Sequence, residues 1–136
     1  MPDGLLDTNV FIHAHTTDPF GGECRRFLGA LEEGRIMARL EPMIVHELSY
    51  ALRHYLKQMT RDDLGQYLMT VLSWPGVVGD KDLLVGTVHR WQETDGLSFA
   101  DAYLAECAVE RGVPVYSKNV RELAGQGVDV PDPLPR

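Results

Sequence analysis

The sequence predicts an α/β fold of three layers, in which helices cover both faces of a short central parallel sheet of about four or five strands. Two observations predict it. Short apolar runs alternate with segments of helical periodicity, and polar or acidic residues follow two of those runs, where parallel sheets bind ligands. With 136 residues and no repeat or linker, the chain is expected to form a single domain, residues 1–136.

Helix start and stop residues divide the first half of the chain into elements. Gly34 ends a helix, Pro42 suits a first helical turn, and Thr60 with Asp63 forms a capping-box pattern. The expected elements are a strand at 4–7, a helical turn at 9–15, a helix from about 20 to 33, a strand at 36–40, and helices at 42–58 and 60–73.

The second half continues the alternation. Gly112 is the expected stop of a helix that begins at Ser98. The expected elements are a minimal strand at 77–78, helices at about 80–92 and 98–111, a strand at 113–116, a turn of helix at 120–124, and a last edge strand at 128–130. Two helices between the second and third strands distinguish this order from a regular alternating nucleotide-binding fold.

The charge balance disfavours one class of protein, the static binders of duplex DNA. The net charge is −7, from 20 acidic residues against 13 Lys and Arg, whereas a static binder of duplex DNA needs a basic excess. An acidic protein can still process nucleic acid when divalent cations mask its carboxylates and attract phosphate. The composition therefore leaves metal-dependent nucleic-acid chemistry open.

Other features indicate the compartment. Cys24 and Cys107 lie far apart, so a disulfide framework is not expected. The longest apolar runs fall short of the roughly 18 residues of a membrane span. Residues 1–4 lack the basic region that opens a signal peptide. A soluble, cytoplasmic protein is expected.

Four polar side chains are candidates for chemistry because each adjoins an apolar segment. They are Asp7 after the first strand, Glu47 and Asp101 on helical patterns, and Asn119 after the strand at 113–116. A carboxylate on a core-facing element must be paired, protonated or bound to a cation. Dispersed acids on such elements are therefore a functional hypothesis.

Each candidate also has a structural interpretation. Asp7 could cap the following helix, although Asn9 could do that alone. Glu47 borders a predicted apolar stripe of Ile44, Leu48, Ala51, Tyr55 and Met59, and could pair with Arg53 or Lys57; the nearby Glu41 is expected to be exposed.

The later two candidates could likewise serve helix ends. Ser98 and Asp101 match a capping box in which Asp101 reaches back to Ser98. Ala105 and Ala108 give Asp101 a small-residue face, and a carboxylate has a second oxygen to offer a metal. Asn119 could cap the following turn, or could bind a hard cation such as Mg²⁺ or Mn²⁺ through its amide oxygen.

Taken together, these segments resemble the PIN (PilT N-terminal) domain, and the length is similar to that of the VapC-like toxin ribonucleases. The segment 5–12 resembles the opening motif and 97–105 the motif of the third acid, while Glu47 matches the second acid by position. The segments 115–119 and 128–131 resemble the closing motif and the last strand. The resemblance covers essentially the whole chain.

The resemblance implies a divalent-metal-dependent endoribonuclease, a hydrolase of RNA that uses Mg²⁺ or Mn²⁺. It further implies the toxin of a type II toxin–antitoxin pair, commonly a homodimer, silenced by a small antitoxin protein whose C-terminal segment occupies the active-site groove. One departure is visible. The family's fourth acidic position is Asn119 here, which puts a full second metal site in doubt.

The implied catalytic residues are Asp7, Glu47, Asp101 and Asn119, and the first three are the expected metal ligands. Their charges would repel one another unless a cation neutralised them. Residues expected to hold water or carboxylate oxygens around the ligands are Thr8, Asn9, Ser98 and Ser117. Residues expected to bind the RNA backbone are Arg25, Arg26 and Lys118.

Two rival functions remain open. A PIN fold with Asn119 could be a catalytically inactive binding module. A receiver-like phosphoacceptor domain would use Asp7 for Mg²⁺, Asp80 as acceptor and Ser117 with a lysine. Against the receiver, a single acid ends the first strand where a pair is expected, and Ser117 and Lys118 are adjacent although they would need separate strand ends.

The larger apolar residues have two possible uses. The aromatic residues Tyr50, Tyr55, Trp74 and Trp91 are expected in the core or at its boundary, although Tyr50 or Trp91 could instead line a groove for a partner. Residues that fit either the core or a dimer interface are Leu64, Leu68 and Leu72.

Overall fold

The computed structural model describes residues 4–136, and the chain divides into two compact units, Met1–Lys81 and Asp82–Arg136. The elements within the described residues are β1 Gly4–Leu5, α1 Thr8–Ala14, α2 Gly21–Glu32, β2 Ala38–Arg39, α3 Pro42–Tyr55, α4 Arg61–Ser73, β3 Val77–Val78, α5 Lys81–Glu93, α6 Phe99–Arg111 and α7 Val120–Ala124. These bounds confirm the predicted helices to within a few residues.

The first unit is built on a parallel sheet of order β1-β2-β3. Gly4 aligns with Ala38, which in turn aligns with Val77. The helix α1 packs against α2 and α3, and α3 packs against α4. Side chains buried in this unit include Leu28, Leu31, Leu40, Val45, Leu48, Leu52, Leu64, Leu68, Val71 and Leu72. The three leucines of α4 therefore belong to the core, not to an exposed interface.

Gly76 allows the third strand to begin directly against the end of α2. A Cβ at this position would lie 2.2 Å from the carbonyl oxygen of Ile36 and 2.5 Å from that of Leu31. The Gly76 N–H donates to Leu31 at 2.8 Å, and its carbonyl accepts from the Ala38 N–H at 2.8 Å. The backbone contact that starts β3 thus requires a residue without a side chain.

The second unit consists of α5, α6 and α7. Arg90 of α5 links this helix to the other two. Its guanidinium donates to Glu106 of α6 at 2.7 Å and to the carbonyl of Gln126, just after α7, at 2.9 Å. Trp91 packs edge-on against Phe99 with ring centroids 5.9 Å apart. A small core is formed by Ala105, Ala108, Val115 and Leu123, with Val128 and Val130 packed against it.

The predicted number of strands is wrong, because the described residues form a sheet of three strands instead of four or five. The segments 113–116 and 128–130 are not strands. They are joined by a hydrogen bond from the Val115 N–H to the Asp129 carbonyl at 2.9 Å. The Val113 N–H, two residues earlier, donates instead to the Ala108 carbonyl at 3.0 Å, so the pairing does not extend into a ladder.

Two smaller findings complete the description. Neither cysteine forms a disulfide. Within residues 4–136, none of the helices combines the length and apolar character that crossing a membrane requires.

Candidate functional site

Asp7 stands at the junction of β1 and α1. It occupies the N-cap position of α1 with an extended backbone, but its side chain makes no capping hydrogen bond. Its carboxylate is exposed and has no hydrogen-bond or ion-pair partner among residues 4–136. The capping interpretation therefore does not account for the acid, which is free to bind a ligand.

Thr8, the next residue, carries an unsatisfied hydroxyl. The residue is 2% exposed, and its Oγ1 has no hydrogen-bond partner within the described part of the chain. A buried hydroxyl without a partner costs about 1–3 kcal/mol. Such atoms are rare in folded proteins unless a water, ion or ligand satisfies them. Thr8 thus offers a polar atom next to Asp7.

Glu47 lies in the second turn of α3 and is partly buried. The buried residues of that helix are Val45, Leu48, Ser49 and Leu52. Of the predicted apolar stripe, Leu48 is buried, Ile44, Ala51 and Met59 are partly buried, and Tyr55 is 56% exposed. Glu47 does not form the predicted ion pair with Arg53, because it has no ion-pair or hydrogen-bond partner in residues 4–136. Arg53 Nε instead donates to the Met59 carbonyl at 3.2 Å.

Glu41, which the sequence predicts to be exposed, lies at the same end of the sheet as Asp7. Asp7, Glu41 and Asp80 each follow the end of their strand, β1, β2 and β3, by two residues. Neighbouring strands lie about 4.8 Å apart, so these acids share one sheet edge. Glu41 is half-buried and, as the N-cap of α3, makes no side-chain capping bond. The equal spacing from each strand was the available signal.

Asp101 uses only half of the expected capping box. Its N–H donates to Ser98 Oγ at 3.0 Å, so Ser98 caps α6 as predicted. The carboxylate does not complete the box, in contrast to Asp63 of α4, which accepts from the Thr60 N–H at 3.0 Å. Instead, Asp101 Oδ2 accepts a hydrogen bond from Asn119 Nδ2 at 3.2 Å.

Asn119 is held in place for that contact by its own backbone. Its N–H donates to Ser117 Oγ at 2.9 Å, and it occupies the N-cap of α7 without a side-chain capping bond. The Asn119 amide therefore orients Asp101 instead of serving the helix end. Two predicted site residues, 18 positions apart, are in direct contact.

The predicted cationic residues differ in their surroundings. Arg25 donates to the Ala14 carbonyl at the end of α1 at 3.1 Å. Lys118 Nζ lies 2.6 Å from Asp132 Oδ1, in an exposed ion pair. Arg26 is exposed and makes no hydrogen bond or ion pair with residues 4–136. The neutral candidate Asn9 is also exposed, in the first turn of α1. Arg26 is the cation of this group whose charge is least engaged.

The donor atoms fit a hard divalent cation. Among residues 4–136, no three His, Cys, Asp or Glu side chains form a group that could hold a metal ion. Asp7 and Glu47 belong to the first unit, and Asp101 and Asn119 belong to the second. All the donors are oxygen atoms of the kind that Mg²⁺ and Mn²⁺ prefer. The orphaned Thr8 hydroxyl is a further oxygen of the same chemistry.

Comparison with known protein families identifies the family of this chain. The family model described as PIN domain matches residues 4–115, a range that contains Asp7, Glu47 and Asp101 and ends before Asn119. No curated protein matches the chain. PIN domains have a nuclease-type fold, and many are metal-dependent ribonucleases. Since the match spans most of the sequence, the chain belongs to the PIN-domain family.

Proposed function

We propose that this PIN domain is a divalent-metal-dependent endoribonuclease of the VapC-like kind, the toxin of a type II toxin–antitoxin pair. One observation carries the proposal: the family match includes three acids whose carboxylates serve neither a helix cap nor an ion pair among residues 4–136. Carboxylate oxygens that serve no structural role are the ligands that Mg²⁺ and Mn²⁺ prefer in proteins.

The ligands of Mg²⁺ or Mn²⁺ would be Asp7, Glu47 and Asp101. When bound, the ion supplies Lewis acidity that stabilises the charge developing on the scissile phosphate. Asn119 supports the donor set, because its hydrogen bond fixes one oxygen of Asp101 and leaves the other available. The Thr8 hydroxyl, buried next to Asp7, would donate to an enclosed water that supports the donor set.

A protein partner follows from the same proposal. A small antitoxin whose C-terminal segment lies across the acidic site would silence the enzyme by excluding RNA. The homodimer belongs to this proposal as well, and size-exclusion chromatography with light scattering tests it directly.

The central experiment measures cleavage of a long single-stranded RNA with Mg²⁺ or Mn²⁺, with EDTA, and after Asp7→Asn. Cleavage with the metal, and its loss under the other two conditions, is expected. Equal cleavage under all three conditions would exclude the metal mechanism.

A matched pair separates the two acids near α3. Glu47→Gln removes a proposed ligand, whereas Glu41→Gln removes the acid that follows the strand next to Asp7. Loss of activity for Glu47→Gln with retention for Glu41→Gln supports the proposed ligand set. The reverse outcome would transfer the role to Glu41.

The second candidate function is an inactive PIN-fold binding module. The contact that favours it is the hydrogen bond from Asn119 to Asp101, since an amide satisfies the carboxylate without a metal. Mn²⁺ binding measured by calorimetry, with no turnover of any RNA tested, would favour the module. The family match leaves the receiver-like interpretation without support.

A further inference from the structure

One face of α3 points away from the core and carries rings and positive charge. Its members recur at helical spacing, opposite the buried side of the helix, and all are exposed. We call this surface the α3 outer face: Met43, His46, Tyr50, Arg53 and His54.

The aromatic part of the face is unusually open. Tyr50 is 58% exposed and Met43 is 77% exposed, although both are large and apolar. The His46 ring meets Tyr50 edge-on, with centroids 5.7 Å apart and an interplanar angle of 77°. The Tyr50 hydroxyl makes no hydrogen bond within residues 4–136. A ring supported by a neighbour and still more than half exposed is suited to stacking.

The charge of this region differs from that of the chain. The five members of the α3 outer face include one formal cation, Arg53, and no acid, in a protein whose net charge is −7. Two of the five histidines also lie here. A face that carries an arginine and no acid, on an acidic protein, favours an anionic partner over a cationic one.

Aromatic rings interleaved with cations match single-stranded RNA better than a duplex. Unpaired bases stack on exposed rings, whereas the bases of a duplex are already stacked on one another. Tyr50 follows Glu47 by three residues on the same helix, so a base on the ring would lie within one helical turn of a proposed metal ligand.

We propose that the α3 outer face is a stacking platform for single-stranded RNA, with Tyr50 beneath a base and Arg53 beside the backbone phosphate. This inference deepens the proposed ribonuclease function and rests on it for its biological role. Its binding step is independent of catalysis and is measured without metal.

The test is fluorescence anisotropy of a labelled 12-nucleotide oligouridine with the full chain in EDTA, where metal-dependent cleavage is blocked. Loss of one base–aromatic stack, about 1–3 kcal/mol, converts to a weakening of roughly 5- to 150-fold for Tyr50→Ala. Tyr50→Phe keeps the ring and is expected to bind normally. Phe20→Ala is the matched control, because Phe20 is also 58% exposed and also meets a histidine, His13, edge-on at 5.4 Å.

Arg53→Gln gives a second, independent readout. Removal of one phosphate contact lowers the slope of log affinity against log salt by about 0.7 for a single strand. Circular dichroism melts of each variant confirm that it folds.

The outcomes separate this inference from the ribonuclease proposal. Unchanged oligouridine affinity in Tyr50→Ala and Arg53→Gln overturns the platform, even if the wild type cleaves RNA. A Tyr50→Ala protein that loses a dimer but keeps its RNA affinity also overturns it and makes the face an interface between copies. Weakened binding in Tyr50→Ala, with no cleavage by the wild type under any metal condition, supports the platform and refutes the nuclease.

Discussion

Replacement of Gly86 by alanine should destabilise the protein, although the same change usually stabilises a helix. Gly86 lies inside α5, and a Cβ there would lie 2.4 Å from both Cδ and Oε2 of Glu106. The Glu106 side chain can rotate away from the new Cβ. It would then lose the hydrogen bond that its Oε1 accepts from Arg90 Nε at 2.7 Å. The two side chains are only 20% and 23% exposed, so water replaces the lost partner poorly.

The magnitude follows from two opposing terms. Alanine gains about 1 kcal/mol over glycine in a helix interior. Loss of a hydrogen bond between charged groups costs about 1.5–3 kcal/mol. The expected net effect of Gly86→Ala is therefore a loss of roughly 0.5–2 kcal/mol in the free energy of unfolding. Gly29→Ala in α2 is the control: no atom lies within 4 Å of its Cβ, so it should gain about 0.5–1 kcal/mol.

Urea unfolding followed by circular dichroism measures both values. In a Glu106→Ala background the steric conflict is gone, so Gly86→Ala should become stabilising by about 1 kcal/mol. Equal stabilisation by Gly86→Ala and Gly29→Ala in the wild type would refute the reasoning. Because Arg90 links α5 to α6 and to the end of α7, RNA cleavage should fall several-fold in Gly86→Ala as the support of Asp101 loosens.

Three further outcomes are expected. Asp63→Ala should lower the melting temperature more than Asp101→Ala, because only Asp63 completes a capping box. Asp101→Ala should instead reduce RNA cleavage, by at least the roughly 10- to 100-fold that loss of a group supporting a metal site costs. Asn119→Asp should lower the melting temperature in EDTA, because it replaces the hydrogen bond to Asp101 with repulsion between two negative charges. Mn²⁺ should restore the melting temperature. A melting temperature that is the same with EDTA and with Mn²⁺ would contradict this. The hydrogen bond from the Thr16 hydroxyl is the chief reason why the pKa of Asp18 is lowered. The stability that the ionised Asp18 contributes is therefore present above the ordinary carboxyl pKa and is lost as the pH falls through the lowered value. The difference in melting temperature between the wild type and Asp18→Asn should persist at neutral pH and close in acid.

The helices were predictable because their signals are local. Thr60 and Asp63 predicted the start of α4 through a capping box that the structure shows complete, and Gly112 ends α6 in the left-handed conformation that favours glycine. The fourth and fifth strands were not predictable in the same way. A strand needs a partner at the correct register, and the apolar run at 113–116 reports only hydrophobicity.

The same distinction between local and long-range features applies to the candidate site. Sequence spacing identified Asp101 and Asn119 separately, but their contact depends on how the chain returns after α6. The orphaned hydroxyl of Thr8 was also out of reach, since a lack of partners is a property of the packed structure. Glu41 was passed over because its relation to Asp7 exists only once β1 and β2 are adjacent.

The comparison of α4 and α6 shows why a capping signature does not argue against function. Both helices begin with a hydroxyl residue followed three positions later by aspartate, and both hydroxyls accept from the aspartate N–H at 3.0 Å. Only Asp63 returns its carboxylate to the cap, while Asp101 presents its carboxylate to Asn119. A cap needs one backbone donor and one hydroxyl, so the carboxylate is an optional part of the motif. An acid at this position can therefore direct its carboxylate to another segment without loss of the cap. For Asp101 that segment begins at Ser117, which positions Asn119.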